Sequence, residues 1–188
     1  MPWIPTIDPD DATGELADSY AWQASRLGRP TLFTQLGSLA PELVHARLAL
    51  YKASERLESG LTPLQKAVIA YVTSVVNETP YCVSMLRIKL FELGADDDYL
   101  AALNTGRYDE LPRPEAALAT YTRQLTRDVG SIQETDIQAL REAGFGDLEI
   151  LDANNQCAHL NYTNRVANGL GLRTEVAADF TPFAAVPA

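Results

Sequence analysis

The sequence predicts an all-α fold in a single domain, and three observations predict it. Caps, prolines and glycines cut the chain into helix-length pieces. Apolar residues inside the pieces recur at helical spacing. Runs alternating apolar and polar, the mark of half-buried strands, are weak throughout. At 188 residues the chain is long enough for one sizeable core. The expected organisation is one domain over 1–188, with extended tails at about 1–10 and 173–188.

The elements follow in order. Asp8-Pro9-Asp10-Asp11 reads as a cap, a proline at the first helical position and acids in the first turn, opening a helix expected to reach Gly28. Pro41 opens a second long helix, expected to place Leu43, Ala46, Leu50 and Leu57 near one face before Gly60 ends it. Thr62-Pro63-Leu64-Gln65 fits a capping box. Beyond it Ala67 to Val76 is apolar almost all round, as a central buried helix would be. Thr79-Pro80 repeats the cap-plus-proline signal and starts a helix ending at Gly94. Asp96, Pro114, Thr135 and Asp147 open four more, the last running to about Gly169. The result is a helical bundle or orthogonal array with the pair 63–77 and 80–93 at its centre.

Composition bounds function. Hydrophobic residues are 46%, charged residues 21%, and mean hydropathy is −0.11, values of an ordinary soluble domain. A formal net charge of −10 argues against nucleic acid, whose binding needs a basic face, and against anionic lipid. No apolar run is long enough to span a membrane, and residues 1–13 do not read as a secretory signal. The expected location is the cytoplasm, with both cysteines reduced. No nucleotide, serine-hydrolase or zinc-protease motif is present. Asp96-Asp97-Asp98 is an over-supplied helix start, and the two histidines, His45 and His159, sit in no metal-type spacing, so neither a metal nor another cofactor is expected.

The most informative stretch is Asn77-Glu78-Thr79-Pro80-Tyr81-Cys82-Val83-Ser84-Met85-Leu86. Cys82 falls on the third position of a helix, where unpaired amides and the positive dipole end favour thiolate. The residues alone leave two readings open: a nucleophile, or a small apolar filler between helices. Cys157 reads as core packing; sequence cannot say whether it reaches Cys82. Asn161, Asn164, Arg165 and Asn168 share a helical stripe, either lining a pocket or satisfying buried carbonyls.

These segments resemble the AhpD-like (carboxymuconolactone decarboxylase) superfamily, in its peroxidase-related, alkylhydroperoxidase-like branch. The resemblance runs through Ile4-Pro5, Gly28-Arg29-Pro30, Leu61-Thr62-Pro63, Asn77-x-x-Pro80-Tyr81-Cys82, Leu140 to Phe145 and Asn161 to Gly171. It implies an AhpD-like helical bundle. In that family a glutamate on the preceding helix is followed by Cys-x-x-Cys and a histidine four residues on. Cys82 falls on the second cysteine; Thr79 stands at the first, Leu86 at the histidine and Ala67 at the glutamate.

The resemblance therefore implies a degenerate site with little or no dithiol peroxidase turnover. Its alternatives are a one-cysteine hydroperoxide-reducing oxidoreductase using Cys82, an antioxidant role, or, as a weaker reading, a decarboxylase-like enzyme or small-molecule-binding oligomer. Candidate pocket residues are Thr79, Tyr81, Leu86, Ala67 and His159, the last a conceivable stand-in for the family histidine. Family members generally self-associate, so a homo-oligomer (dimer, trimer or hexamer) is expected, with the apolar 63–77 helix and the tail phenylalanines Phe180 and Phe183 packed against a neighbour. A hydroperoxide or another small molecule is the expected ligand.

Overall fold

A computed structural model describes residues 2–176, so Phe180 and Phe183 lie outside the described residues. Its helices are α1 (Gly14–Leu27), α2 (Leu32–Leu36), α3 (Pro41–Arg56), α4 (Pro63–Val76), α5 (Pro80–Glu92), α6 (Asp97–Thr105), α7 (Arg113–Arg127), α8 (Glu134–Glu142) and α9 (Asp147–Gly169). One short 3-10 turn precedes them, two more lie between them, and no strand occurs among the described residues. This is an all-α array of packed helices.

Helix α4 is the hub. Eight consecutive residues, Ala67 to Ser74, are buried, and α5, α7 and α9 all pack on it. Its start is the expected capping box: Gln65 N–H donates to the Thr62 hydroxyl at 3.1 Å, and Thr62 N–H donates to Gln65 Oε1 at 3.0 Å. One side of α4 packs Val68, Tyr71 and Val72 against Leu90, Leu100 and Leu103; another packs Ile69 against Leu118, Leu140 and Cys157. Among the described residues no helix is long and apolar enough to cross a membrane.

Four expectations are corrected. The first helix starts at Gly14, not at Pro9. Asp8 caps only a three-residue 3-10 turn by accepting from Asp10 N–H, and Ala12 and Thr13 are extended. Segment 7–13 is held aside by Ile7, whose N–H donates to Ser38 Oγ at 2.8 Å and whose carbonyl accepts from Tyr20 at 3.0 Å. The short α2 was not anticipated; Thr31 caps it by accepting from Thr34 N–H.

Helix α3 ends at Arg56 rather than near Gly60, because Lys66 Nζ donates to the carbonyls of Ser54 and Leu57 and turns the chain. It also buries Val44 and Leu48, leaving Leu43 and Leu50 64% and 57% exposed. The apolar stripe chosen from sequence is therefore one residue out of phase with the face that packs on α1. Lastly, Thr79 makes no side-chain cap on α5; its hydroxyl is used elsewhere.

Candidate functional site

The turn between α4 and α5 fixes the position of Cys82. Asn77 ends α4, Glu78 takes a left-handed conformation (φ 49°), and Thr79 N–H returns to the Ser74 carbonyl at 3.0 Å. Pro80 then starts α5 with the φ a first helical position wants. Helix α9 holds this turn by amides. Asn168 Nδ2 donates to the Asn77 carbonyl at 2.8 Å, the Glu78 carbonyl at 3.3 Å and the Thr79 hydroxyl at 3.0 Å. Asn161 Oδ1 accepts from Asn77 Nδ2 at 3.0 Å, and Asn164 exchanges bonds with Ser74 Oγ in the core. Arg165 donates to Asn161. The amide stripe thus satisfies backbone and hydroxyl groups of the turn, the structural one of its two sequence readings.

Thr79 is fully buried, donating to the Asn77 carbonyl while accepting from Asn168. Tyr81 is 4% exposed and its phenol faces the 31–33 segment; burial pushes its pKa up to about 12. Cys82, 6% exposed, packs with Phe33, Leu36, Ala167 and Leu172, flanked by Met85 and Leu86. Ala67 is buried on α4 and belongs to the apolar cluster against which Leu86 packs.

Burial decides the state of the Cys82 thiol. Its pKa is pushed up from 9.0 to about 12, with desolvation as the cause and no charged partner opposing it. A helix N-terminus contributes about 0.3–1 kcal/mol toward thiolate. The desolvation amounts to roughly 4 kcal/mol against it, at about 1.4 kcal/mol per pH unit. Desolvation wins, and the thiol stays protonated at neutral pH.

Cys157 is also free and fully buried, but in the other core region, beneath α7 and α8. Its sulfur is ringed by Thr126 Oγ1 at 3.3 Å, Asn161 Nδ2 at 3.4 Å and Thr73 Oγ1 at 3.5 Å. His159 is the remaining candidate from the sequence. It lies on α9 against Tyr51 of α3, ring centroids 6.3 Å apart. Burial, aided by the charge of Arg47, lowers its pKa to about 4. No group of three or more potential metal ligands occurs among the described residues.

The sequence reading missed Arg47, Tyr51 and Tyr162, which gather around His159. Arg47 Nη2 donates to Thr34 Oγ1 at 2.8 Å, and its guanidinium lies 4.7 Å over the Phe33 ring. The signal was present: Val44, Arg47, Leu48 and Tyr51 follow i, i+3, i+4, i+7, so the true buried face of α3 draws a cation inward.

No family model matches the sequence, and no curated protein matches it. Solved structures do. An uncharacterised peroxidase-related protein from Silicibacter sp. TM1040 superposes with a TM-score of 0.82 at 25% identity, covering 97% of this chain and 96% of that one. The alkylhydroperoxidase AhpD core protein from Ralstonia eutropha JMP134 gives 0.81 at 22% identity, covering 92% and 91%. The debrominase Bmp8, solved in complex with 2,3,4-tribromopyrrole, gives 0.76 at 16% identity, again covering 92% and 91%.

Proposed function

The chain belongs to the AhpD-like superfamily, and on that premise we propose that it is a peroxidase-related member that keeps the fold and has lost the dithiol chemistry. One observation carries this reading: Cys82 is a neutral thiol in hydrocarbon, with Leu86 and Ala67 where a base and a relay would stand. The Thr79 hydroxyl, already engaged with Asn168, cannot close a disulfide. What remains is a scaffold for a small-molecule ligand or for assembly. Two buried, free thiols suit a reducing cytoplasmic setting.

The second reading is a one-cysteine hydroperoxidase. The position of Cys82 at the third residue of α5 favours it, and the debrominase neighbour illustrates that this fold carries more than one chemistry. In that cycle the Cys82 thiolate attacks the peroxide oxygen, the O–O bond breaks, and alcohol leaves with sulfenic acid formed. One external thiol then releases water and forms a mixed disulfide; a second frees Cys82 and leaves as disulfide.

Alkylation of the reduced protein across pH, followed by hydroperoxide with an external thiol, separates the two. With Cys157 retained and Cys82→Ser as control, the expected result is negligible alkylation at neutral pH, rising only in strong alkali, and no peroxide loss. A thiol titrating well below about 8.5, with peroxide consumption abolished in Cys82→Ser, would establish the one-cysteine enzyme instead.

We also propose self-association through the outer face of α3. Leu43 and Leu50 are each more than half exposed on it, and Leu39, equally exposed, lies just before its start. An apolar row of this kind suits a second copy of the chain better than water. The double change Leu43→Glu with Leu50→Glu is expected to halve or further reduce the mass measured by light scattering, while moving the monomer melting temperature little. An unchanged mass excludes this face.

A further inference from the structure

The region between α3 and α9 holds a guanidinium without a carboxylate. Among the described residues Arg47 forms no ion pair, and its guanidinium donates to Thr34, a neutral hydroxyl. Glu55, an acid of the same helix, lies near the Tyr51 hydroxyl. Burial lowers the Arg47 pKa to about 10, still far above neutrality, so the cation persists where water is scarce. Phe33 lies under the flat face of the guanidinium. Its edges, which carry the N–H donors, therefore remain for a planar anion.

A second, independent feature lies beside it. His159 Nδ1 is buried and has no hydrogen-bond partner. The imidazole is neutral at pH 7, so Nδ1 can carry a proton and donate. A buried donor without an acceptor costs about 1–3 kcal/mol, which an incoming acceptor would recover. Aromatic rings complete the setting: Tyr51 and Tyr162 are 37% and 49% exposed, and Tyr81 lies in the field of Arg47 from the interior side.

We propose that Arg47 and His159 form a binding site for a small aromatic carboxylate, the guanidinium edge and the His159 Nδ1–H taking the carboxylate oxygens and the rings of Tyr51 and Tyr162 flanking its body. A single cation with a neutral second donor matches a monoanion. The chain's net charge of −10 works against multiply charged ligands. The Tyr51 ring lies 6.3 Å from the imidazole, and a rotamer change there, the ordinary scale of movement on binding, would make room for the ligand. The site goes beyond the reading given above, since its occupancy does not depend on peroxide turnover.

Benzoate is the probe. Calorimetry on the full chain should show one benzoate per chain, and acetate, lacking the ring, should bind more weakly. Arg47→Gln should lose at least tenfold in affinity, about 1.4 kcal/mol. Arg47→Lys, which keeps charge but not the fork, should fall between. Melting temperatures of the variants report whether the fold survives.

A measurement on the unmodified protein avoids that question. The two imidazoles are resolved by NMR, and benzoate should shift the His159 resonance while leaving His45, exposed at 55%, in place. The proposal fails if the His159 resonance stays fixed at tens of millimolar benzoate. It fails equally if Arg47→Gln binds as tightly as the unmodified chain, or if chloride at the same concentration produces the same shift.

Discussion

Lys66→Met is expected to be among the most destabilising single substitutions in the molecule, by about 3–5 kcal/mol. Its partner, Asp152, is fully buried on α9. One Asp152 oxygen takes Lys66 Nζ at 3.1 Å and Ser59 Oγ at 2.6 Å; the other takes Gln156 Nε2 at 3.3 Å. Removing the ammonium leaves a carboxylate with neutral donors alone in a site that excludes water, and that imbalance drives the loss. The opposite truncation, Asp152→Asn, should cost less. Lys66 keeps the carbonyls of Ser54 and Leu57, and its side chain is 17% exposed, so water reaches it.

For a chain of this length 1 kcal/mol moves the melting temperature by roughly 2–4 °C, so Lys66→Met should melt about 6–20 °C lower. Replacing both partners together, Lys66→Met with Asp152→Leu, should recover part of the loss, because no buried charge is then left alone. Equal melting temperatures for the two single variants, or a double variant as poor as Lys66→Met, would mean that the pair matters by packing alone.

That ion pair also marks the boundary of what the sequence reveals. Elements whose signals are local were legible: the Thr62–Gln65 capping box, the Asp96 cap accepting from Tyr99 N–H, and the long run Asp147–Gly169 all form as the residues predict. Local signals failed where two patterns compete. On α3 the series 43, 46, 50, 57 and the series 44, 47, 48, 51 are both helical stripes. Only α1, packed across the helix, selects the second. With the other stripe chosen, Arg47 and Tyr51 were not singled out, and the cluster at His159 could not be assembled. The pairing of Lys66 with Asp152 spans 86 positions and has no spacing rule behind it. Cys82 was legible in place but not in state. Its helix-terminal position is a sequence feature, whereas the hydrocarbon closing over it comes from Phe33, Leu36, Ala167 and Leu172, four residues on three other parts of the chain.

The state of Cys82 sets the last expectation, which separates a missing base from a closed door. Leu86 lies four residues after Cys82 on α5 and packs in the same apolar group, so a side chain there can reach the sulfur. Leu86→His is expected to accelerate alkylation of Cys82 at pH 7 by at least tenfold. An imidazolium beside the thiolate supplies the opposite charge that now is absent, and such pairing lowers a thiol pKa by several units in favourable sites. Hydroperoxide turnover with an external thiol should then become measurable, since the histidine also protonates the departing oxygen.

Adding Thr79→Cys should let the oxidised protein trap its sulfenic acid as a disulfide. That change loses the Asn168–Thr79 hydrogen bond but leaves Asn168 on the Asn77 carbonyl at 2.8 Å, so the turn should persist. The control is the same alkylation after mild denaturation, where Cys82 of both proteins should react alike. If Leu86→His leaves the native rate where it was, the limiting factor is the 6% exposure of Cys82 rather than its protonation. The inertness of Cys82 would then be traced to the packing of Phe33 and Leu172 over the sulfur, ahead of the absence of a nearby base.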